Sequence, residues 1–362
     1  MLFDSHVHFG DWDGKVPVET LYRKMMDEMD ENGVDRFNIN VCGRCPSSPG
    51  ALRLADALWF KRRQPSRVTV FGGLDWGGAT DGGAAPLIPF RTQLDRLKQV
   101  GCDGLKLLHG KPDRRKELGH PLDGDLCEPI YAWLEENDWS CVWHVADPPE
   151  FWNEATTPLW ARRNGWWYDA THPPKSQIDA EARRVFAAHP GVRFVLAHFF
   201  FISQDLQGAS DLLDTFPNLF LDLTPGVEMF HNFRKTPEAA RDFFIKYADR
   251  IVYGTDIGMG AHTTGPKRGW MVRHWLQSGE TFDVPDDLYM LPDDRTELTG
   301  IALPDDVTNR ILGANFAAIL GADSPRLLDA AALRDLCRDL LADAEASGLH
   351  DEAAHLLLAE LA

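Results

Sequence analysis

Short runs of apolar and β-branched residues recur along this chain, each followed by a longer stretch in which apolar positions return every three or four residues. The short runs are Leu2 to His8, Arg36 to Val41, Val68 to Leu74, Gly104 to Leu108, Cys141 to Val145, Arg193 to Phe199, Leu219 to Leu223 and Ile251 to Thr255. The longer stretches include Glu19 to Asn32, Ala51 to Arg63, Thr92 to Val100, Glu128 to Asn137, Ala180 to His189 and Pro237 to Tyr247. A run too short for a helix and apolar on both faces reads as a buried parallel strand, and a 3.6-residue period reads as the amphipathic helix that covers it. Eight such βα alternations predict the α/β class and a closed (β/α)8 TIM barrel better than an open doubly wound sheet.

Two connections exceed what a scaffold needs. The loop after the fifth strand, Asp147 to Ile178, carries Phe151, Trp152, Trp160, Trp166, Trp167 and Tyr168; the loop after the eighth, Ile257 to about Pro304, carries Trp270 and Trp275. Both would rise from the C-terminal face of a barrel, where active-site loops gather, and both read either as lids or as satellite hydrophobic clusters. From Ser324 the chain is rich in Ala, Leu and Asp, with helical spacing at Leu333, Leu336, Cys337, Leu340 and Leu341 and again from Ala353 to Leu361. The domain reading is therefore a barrel over 1–323 and a C-terminal helical extension over 324–362. That extension either packs beneath the barrel or pairs with a second copy in a homodimer. Trp76 to Ala85 is Gly-rich and reads as a loop.

Composition narrows the class. Of 362 residues, 44% are hydrophobic and 25% charged, as in a soluble globular protein. No apolar run reaches the roughly 18 residues of a membrane span. The chain starts directly on a strand without a leader, so a cytoplasmic protein with no membrane partner is expected. A formal net charge of −18 and the lack of a Lys/Arg cluster disfavour nucleic acid. A small-molecule substrate is the expected partner. The six cysteines are scattered and read as reduced thiols; Cys42 and Cys45 form a C-x-x-C without the second pair of a zinc finger.

The candidate chemistry begins with His6 and His8. Residues two apart on a strand point to one face, so these imidazoles converge as metal ligands do, although such a pair also occurs in hydrogen-bonded cores. Further ligand types fall at the C-terminal ends of later strands: Lys106 on the fourth, His144 on the fifth, His198 on the sixth and Asp256 immediately after the eighth. Each alone has a plain alternative, a core histidine or a helix-capping aspartate. Together they form the N/O donor set of a catalytic divalent metal, with zinc the default and manganese, iron and cobalt open.

This order of residues resembles the amidohydrolase superfamily. Three further segments are similar to its branch of decarboxylases, lactonases and carbon-carbon hydrolases: His189-Pro190-Gly191-Val192-Arg193-Phe194-Val195-Leu196-Ala197-His198, Phe216-Pro217-Asn218-Leu219-Phe220-Leu221-Asp222 and Arg310-Ile311-Leu312-Gly313-Ala314-Asn315-Phe316. The resemblance covers roughly residues 1 to 322 and leaves out the tryptophan-rich insertion and the tail. It implies that His6, His8, His144 and Asp256 hold one metal, which polarises water and the substrate carbonyl, and that Asp256 accepts the water proton and delivers it to the leaving group. His198 is then a second-metal ligand or a catalytic group facing the substrate. In two-metal members a carboxylated lysine on the fourth strand bridges the ions, which would be Lys106 here; in one-metal members Lys106 would stay a cation, paired with Asp256 or a substrate carboxylate. One essential metal is favoured over two.

Arg44, His109 and Trp143 are candidates for substrate contact, as are Arg162, Arg163, Lys267 and Arg268 for gripping a carboxylate. The many tryptophans suggest a flat or aromatic small molecule. The expected function is hydrolysis of a small amide, ester or lactone. The alternative is non-oxidative decarboxylation of an aromatic or unsaturated acid, which is less favoured because decarboxylase-type members often carry glutamate where His6 stands. A silent ligand-binding barrel and a nuclease are both weaker readings; the nuclease branch favours glutamate in place of Lys106.

Overall fold

The computed structural model describes residues 1–9, 16–45, 53–79, 85–225, 228–258, 265–284, 297–321 and 324–362. Its strands are β1 (Phe3–His8), β2 (Arg36–Asn40), β3 (Val68–Gly72), β4 (Gly104–Gly110), β5 (Cys141–Val145), β6 (Phe194–Leu196), β7 (Leu219–Asp222), β8 (Ile251–Val252) and β9 (Ile257–Gly258). They are hydrogen-bonded in the order β8-β7-β6-β5-β4-β3-β2-β1-β9, every pair parallel. The two short strands β8 and β9 are halves of one segment that meets β7 on one side and β1 on the other. Between them Tyr253 accepts from the Ser5 N–H at 3.0 Å and Asp256 donates its N–H to His6 O at 2.8 Å. The sheet therefore closes, as the eightfold alternation predicts.

Helices on the outside cover it with one apolar stripe each; Val18–Glu31, for example, buries Val18, Leu21, Met25 and Met29, three or four residues apart. The N-terminal end of the barrel is filled by Phe3, Phe71, Val142, Val195 and Val252, against Phe316 and Ile319 of the helix Asn315–Leu320. Asn315 Nδ2 locks that plug by donating to Ala248 O and Ile251 O, both at 2.7 Å. Asn218 does the same nearby, donating to His189 O and Val192 O. Two of the asparagines in the resembling segments thus have structural work that satisfies buried carbonyls.

A bulge in β1 makes the site's geometry compatible with this plug. Strict alternation would put Phe3 and His6 on opposite faces, yet Phe3 lies among the interior residues and His6 faces the interior higher up. The register with β2 slips by one residue between Asp4 and Val7, which resets the parity. Asp4 stabilises the slip: its carboxylate accepts from the N–H of His6 at 3.1 Å and from Thr255 Oγ1 at 2.5 Å.

The C-terminal extension is a helical pair, Ala330–Ala346 and Glu352–Glu360, packed on the flank of the barrel over helices Leu54–Arg63 and Phe90–Val100. Leu333, Cys337, Ala353, Ala354 and Leu357 join the barrel's main hydrophobic cluster. Trp59 Nε1 donates to Glu360 Oε1 at 3.1 Å. In the connection after β5, Phe151, Ala161 and Tyr168 form a satellite cluster with Trp152, Trp160 and Trp166. The connection after β8 holds a helix, Gly265–Gln277, whose Trp275 stacks on Phe233, and a two-stranded hairpin of Thr281–Asp283 with Glu297–Thr299. Residues 51–52, 80–84, 259–264 and 285–296, within segments discussed above, lie outside the described residues. Among those described, no helix is long and apolar enough to cross a membrane.

Candidate metal centre

At the C-terminal mouth, His6, His8 and Asp256 bring one ligand atom each to within 4.8 Å of one another. The hydrogen bonds behind the two imidazoles fix their tautomers. His8 Nδ1 lies 2.7 Å from Asn40 O, a carbonyl that can only accept, so Nδ1 carries the proton. His6 Nδ1 likewise donates to the carboxylate of Asp222, at 2.7 Å. Both Nε2 atoms therefore present lone pairs, and they face each other at 3.0 Å. Two such lone pairs repel unless a proton or a metal cation lies between them. The Asp256 carboxylate, 3.5 Å from His8 Nε2, adds an anionic oxygen to the same gap. Two neutral nitrogens and one carboxylate with oriented rings behind them fit a divalent cation.

Asp222 orients more than one member. Its Oδ2 takes the His6 proton while its Oδ1 accepts the backbone N–H of His198 at 2.7 Å and of Thr224 at 3.1 Å. Asp147, just after β5, does the same for His144: Oδ1 lies 3.1 Å from His144 Nε2, and Oδ2 receives Lys111 Nζ at 2.6 Å and the Tyr168 hydroxyl. An Nε2–H held this way leaves Nδ1 of His144 as the free donor atom. Tyr168 belongs to the tryptophan-rich insertion, so the insertion braces a site residue through Asp147.

His198 sits beside His144, ring centroids 5.0 Å apart, and 5.8 Å from the ring of His6. It is delivered by an uncommon backbone: His198, Phe199, Phe200 and Phe201 are all left-handed, with φ of 48–55°. Each such residue costs about 1–2 kcal/mol relative to right-handed backbone. Burial of all three phenylalanines holds the turn in place. Asp256 is also left-handed, at φ 55°, and its kink separates β8 from β9.

Electrostatics favour the ligand form at three of the four imidazoles; at His8 burial acts in the same direction, but Cys42, its Sγ 3.8 Å from Nδ1, outweighs it and raises the ring. Burial pushes His198 down to about 4, with His144 adding to the effect, and drives His6 and His144 down as well. These rings are neutral near pH 7, as a metal requires. Burial opposes ionisation of Asp256, but the imidazoles of His198, His8 and His6, in their protonated forms in acid, and the Arg268 guanidinium outweigh it and hold the carboxyl well below its usual range. Burial also lowers Lys106, whose Nζ is 2.9 Å from His6 Nε2. His144 and His198 lie beside the three-residue group without joining it, and Lys106 touches it through His6.

The remaining candidates lie elsewhere. Trp143 is fully buried and packs outward on Phe186 of the helix Lys175–Ala188, because the alternation that turns His144 inward turns its neighbour away. His109 stacks on Trp143 and bonds Tyr131 through Nε2 at 2.8 Å, in the same outer layer. These two are therefore corrected from substrate contacts to packing between sheet and helices. Arg44 is held by Asp75 at 3.1 Å and by Asp343 of the C-terminal extension. Arg162 lies near Glu154 in the insertion. Arg268 does reach the mouth, its Nη1 3.1 Å from Asp256 O. Asp222 and Asp147 carry no motif of their own; a polar residue at the end of the seventh strand was the available signal for the first.

A closed parallel barrel with convergent His and Asp donors at its C-terminal mouth defines a metal-dependent barrel enzyme. The amidohydrolase family model matches residues 55–322, most of the chain, and the chain belongs to that family. The matched span begins after His6 and His8, which the fold alone brings to the other ligands. No curated protein matches the sequence. Among solved structures, a probable 2-pyrone-4,6-dicarboxylic acid hydrolase from Acinetobacter baumannii with citric acid bound is similar at 12% identity and TM-score 0.51, over 89% of this chain and 99% of that one. A 2,6-dihydroxybenzoate decarboxylase from Rhizobium is similar at 14% identity and TM-score 0.53, over 90% and 100%. A dihydroxybenzoic acid decarboxylase from Polaromonas sp., with bound manganese and 2-nitroresorcinol, is similar at 17% identity and TM-score 0.50, over 88% and 96%. At these identities the likeness concerns the fold.

Proposed function

We propose that this enzyme hydrolyses a small amide, ester or lactone with one divalent ion, zinc by default, held by His6, His8 and Asp256 with His144 alongside. The facing Nε2 lone pairs of His6 and His8, 3.0 Å apart beside a carboxylate, carry the metal assignment. When bound, the ion supplies Lewis acidity to a carbonyl and lowers the pKa of water. Asp256 stays ionised near neutrality and its side chain is 31% exposed, so it can take a proton from an attacking water and return it to the leaving group. Neutral His198, just past the end of β6, hydrogen-bonds the substrate. Asn40 O and Asp222 hold the two β1 rings in register throughout. Lys106, whose Nζ lies 2.9 Å from His6 Nε2, is read as the companion of a single ion and not as a carboxylated bridge between two.

Non-oxidative decarboxylation is the second reading, supported by the likeness to the two dihydroxybenzoate decarboxylases. It requires a proton donor for the carbanion, whereas Asp256 is poised as a base. The experiment is a panel of lactones, esters and amides set against hydroxybenzoates, with acid release and carbon dioxide both recorded. Acid release without carbon dioxide, lost with chelator and restored by zinc, is expected. Carbon dioxide from a hydroxybenzoate with no hydrolysis of the other compounds would reverse the order of the two readings.

A further inference from the structure

Buried carboxylates in this protein normally have partners. Glu181, for example, receives Arg115 Nε and Nη2 at 2.8 and 2.9 Å, the Leu122 N–H at 2.9 Å and Gln177 Nε2 at 2.9 Å. Glu228 is the contrast. It lies on the loop that leaves β7, immediately before the helix Met229–Phe233, at the same end of the barrel as the metal ligands. The residue is 7% exposed; its own backbone N–H acts on the carboxyl, and among the described residues neither carboxyl oxygen makes a well-formed hydrogen bond. Glu150, in the connection after β5 and close enough to act on Glu228, has a buried Oε2 that is also without one.

The charged groups that act on Glu228 are Glu150, Lys175 and Asp147. None completes it: Asp147 is committed to His144, Lys111 and Tyr168, and Lys175 is paired with Asp179 at 2.9 Å. A buried carboxyl left in this state is costly, and such costs are retained where function requires them, as where a ligand supplies the missing partner. Burial pushes Glu228 up to about 8, so near neutrality it holds its proton and can both donate and accept.

We propose that Glu228 determines substrate specificity by hydrogen-bonding a hydroxyl or N–H group that the substrate carries apart from its scissile bond, with the nearby Glu150 assisting. The substrate is accordingly a small hydroxylated or amino-substituted compound, not a plain acyl compound. This rests on the hydrolytic reading of the neighbouring metal centre only for the choice of probes.

The test compares Glu228→Leu and Glu228→Gln with wild type, all metal-loaded, in thermal melts and in hydrolysis of D-glucono-1,5-lactone and unsubstituted δ-valerolactone. Removal of an unpartnered buried carboxyl should raise the Tm of Glu228→Leu by about 2–4 °C. Its preference for the hydroxylated lactone should fall about tenfold, the worth of a hydrogen bond to a polar partner, while Glu228→Gln keeps most of that preference. A Tm at or below wild type in Glu228→Leu, or an unchanged lactone ratio, overturns the proposal. If wild type hydrolyses neither lactone, the same ratio is read on a hydroxylated and an unsubstituted ester or amide that it does hydrolyse, and failure on all three classes overturns the hydrolytic reading separately from Glu228.

Discussion

Asp256→Asn is expected to lower turnover about 10³-fold at saturating metal with the fold retained, within the range typical of a positioned general base. Asparagine is the informative replacement. The residue sits at φ 55°, a conformation that asparagine tolerates better than almost any other non-glycine residue, so the kink between β8 and β9 survives. The backbone bond from its N–H to His6 O also survives, and with it the closure of the barrel. What is removed is the negative charge that faces the His6 and His8 rings and that Arg268, 3.8 Å away, helps to sustain. The effect should therefore appear in kcat far more than in KM. Rates at saturating metal check it, and a variant within tenfold of wild type would place the proton acceptor on another residue.

The largest stability effect is expected at a pair far from the chemistry. Arg115→Met should cost about 3–5 kcal/mol, because it strips the bidentate partner from Glu181 and leaves a buried carboxylate behind. Glu181 is 2% exposed and ties the helix Lys175–Ala188 to the turn at Leu122, so the loss falls on the wall beside β5. Burial alone would raise the Glu181 carboxyl, but the bonds from Arg115, Leu122 and Gln177 hold it below its ordinary value. A depressed carboxyl stabilises the fold above its unfolded pKa, and that contribution fades as pH falls through its folded one. The deficit of Arg115→Met should accordingly be full near pH 7 and shrink in acid. Urea denaturation checks the size, and the double variant with Glu181→Leu should recover much of it. A single variant within 1 kcal/mol of wild type would mean that water replaces the guanidinium.

Much of the barrel is legible from hydrophobic spacing: Cys141–Val145 ends where its sequence pattern ends, and β1, β2 and β7 stop within one residue of expectation. The misses share a cause. The sixth strand, expected to reach Phe199, stops at Leu196 because His198 to Phe201 turn left-handed, and the eighth splits at the same conformation of Asp256. Neither has the glycine that would advertise positive φ, since burial of aromatic rings and the fit of the site sustain it instead. The metal donors are readable because strand ends are readable. Their orienting partners are not: Asp222 reaches His6 across 216 positions of sequence, and Asn40 contributes a carbonyl that any residue could offer. The outward side of Trp143, by contrast, follows from the same two-residue period that places His144 inside.

Metal per chain decides the central claim most directly. Protein purified and exchanged into metal-free buffer, then loaded with zinc, should hold one tightly bound ion in wild type, with or without bicarbonate, and none in His6→Ala/His8→Ala, whose folded structure is checked by circular dichroism. A folded double variant that retains the ion would contradict the site built on β1, and two ions that depend on Lys106 and bicarbonate would contradict the single-ion arrangement.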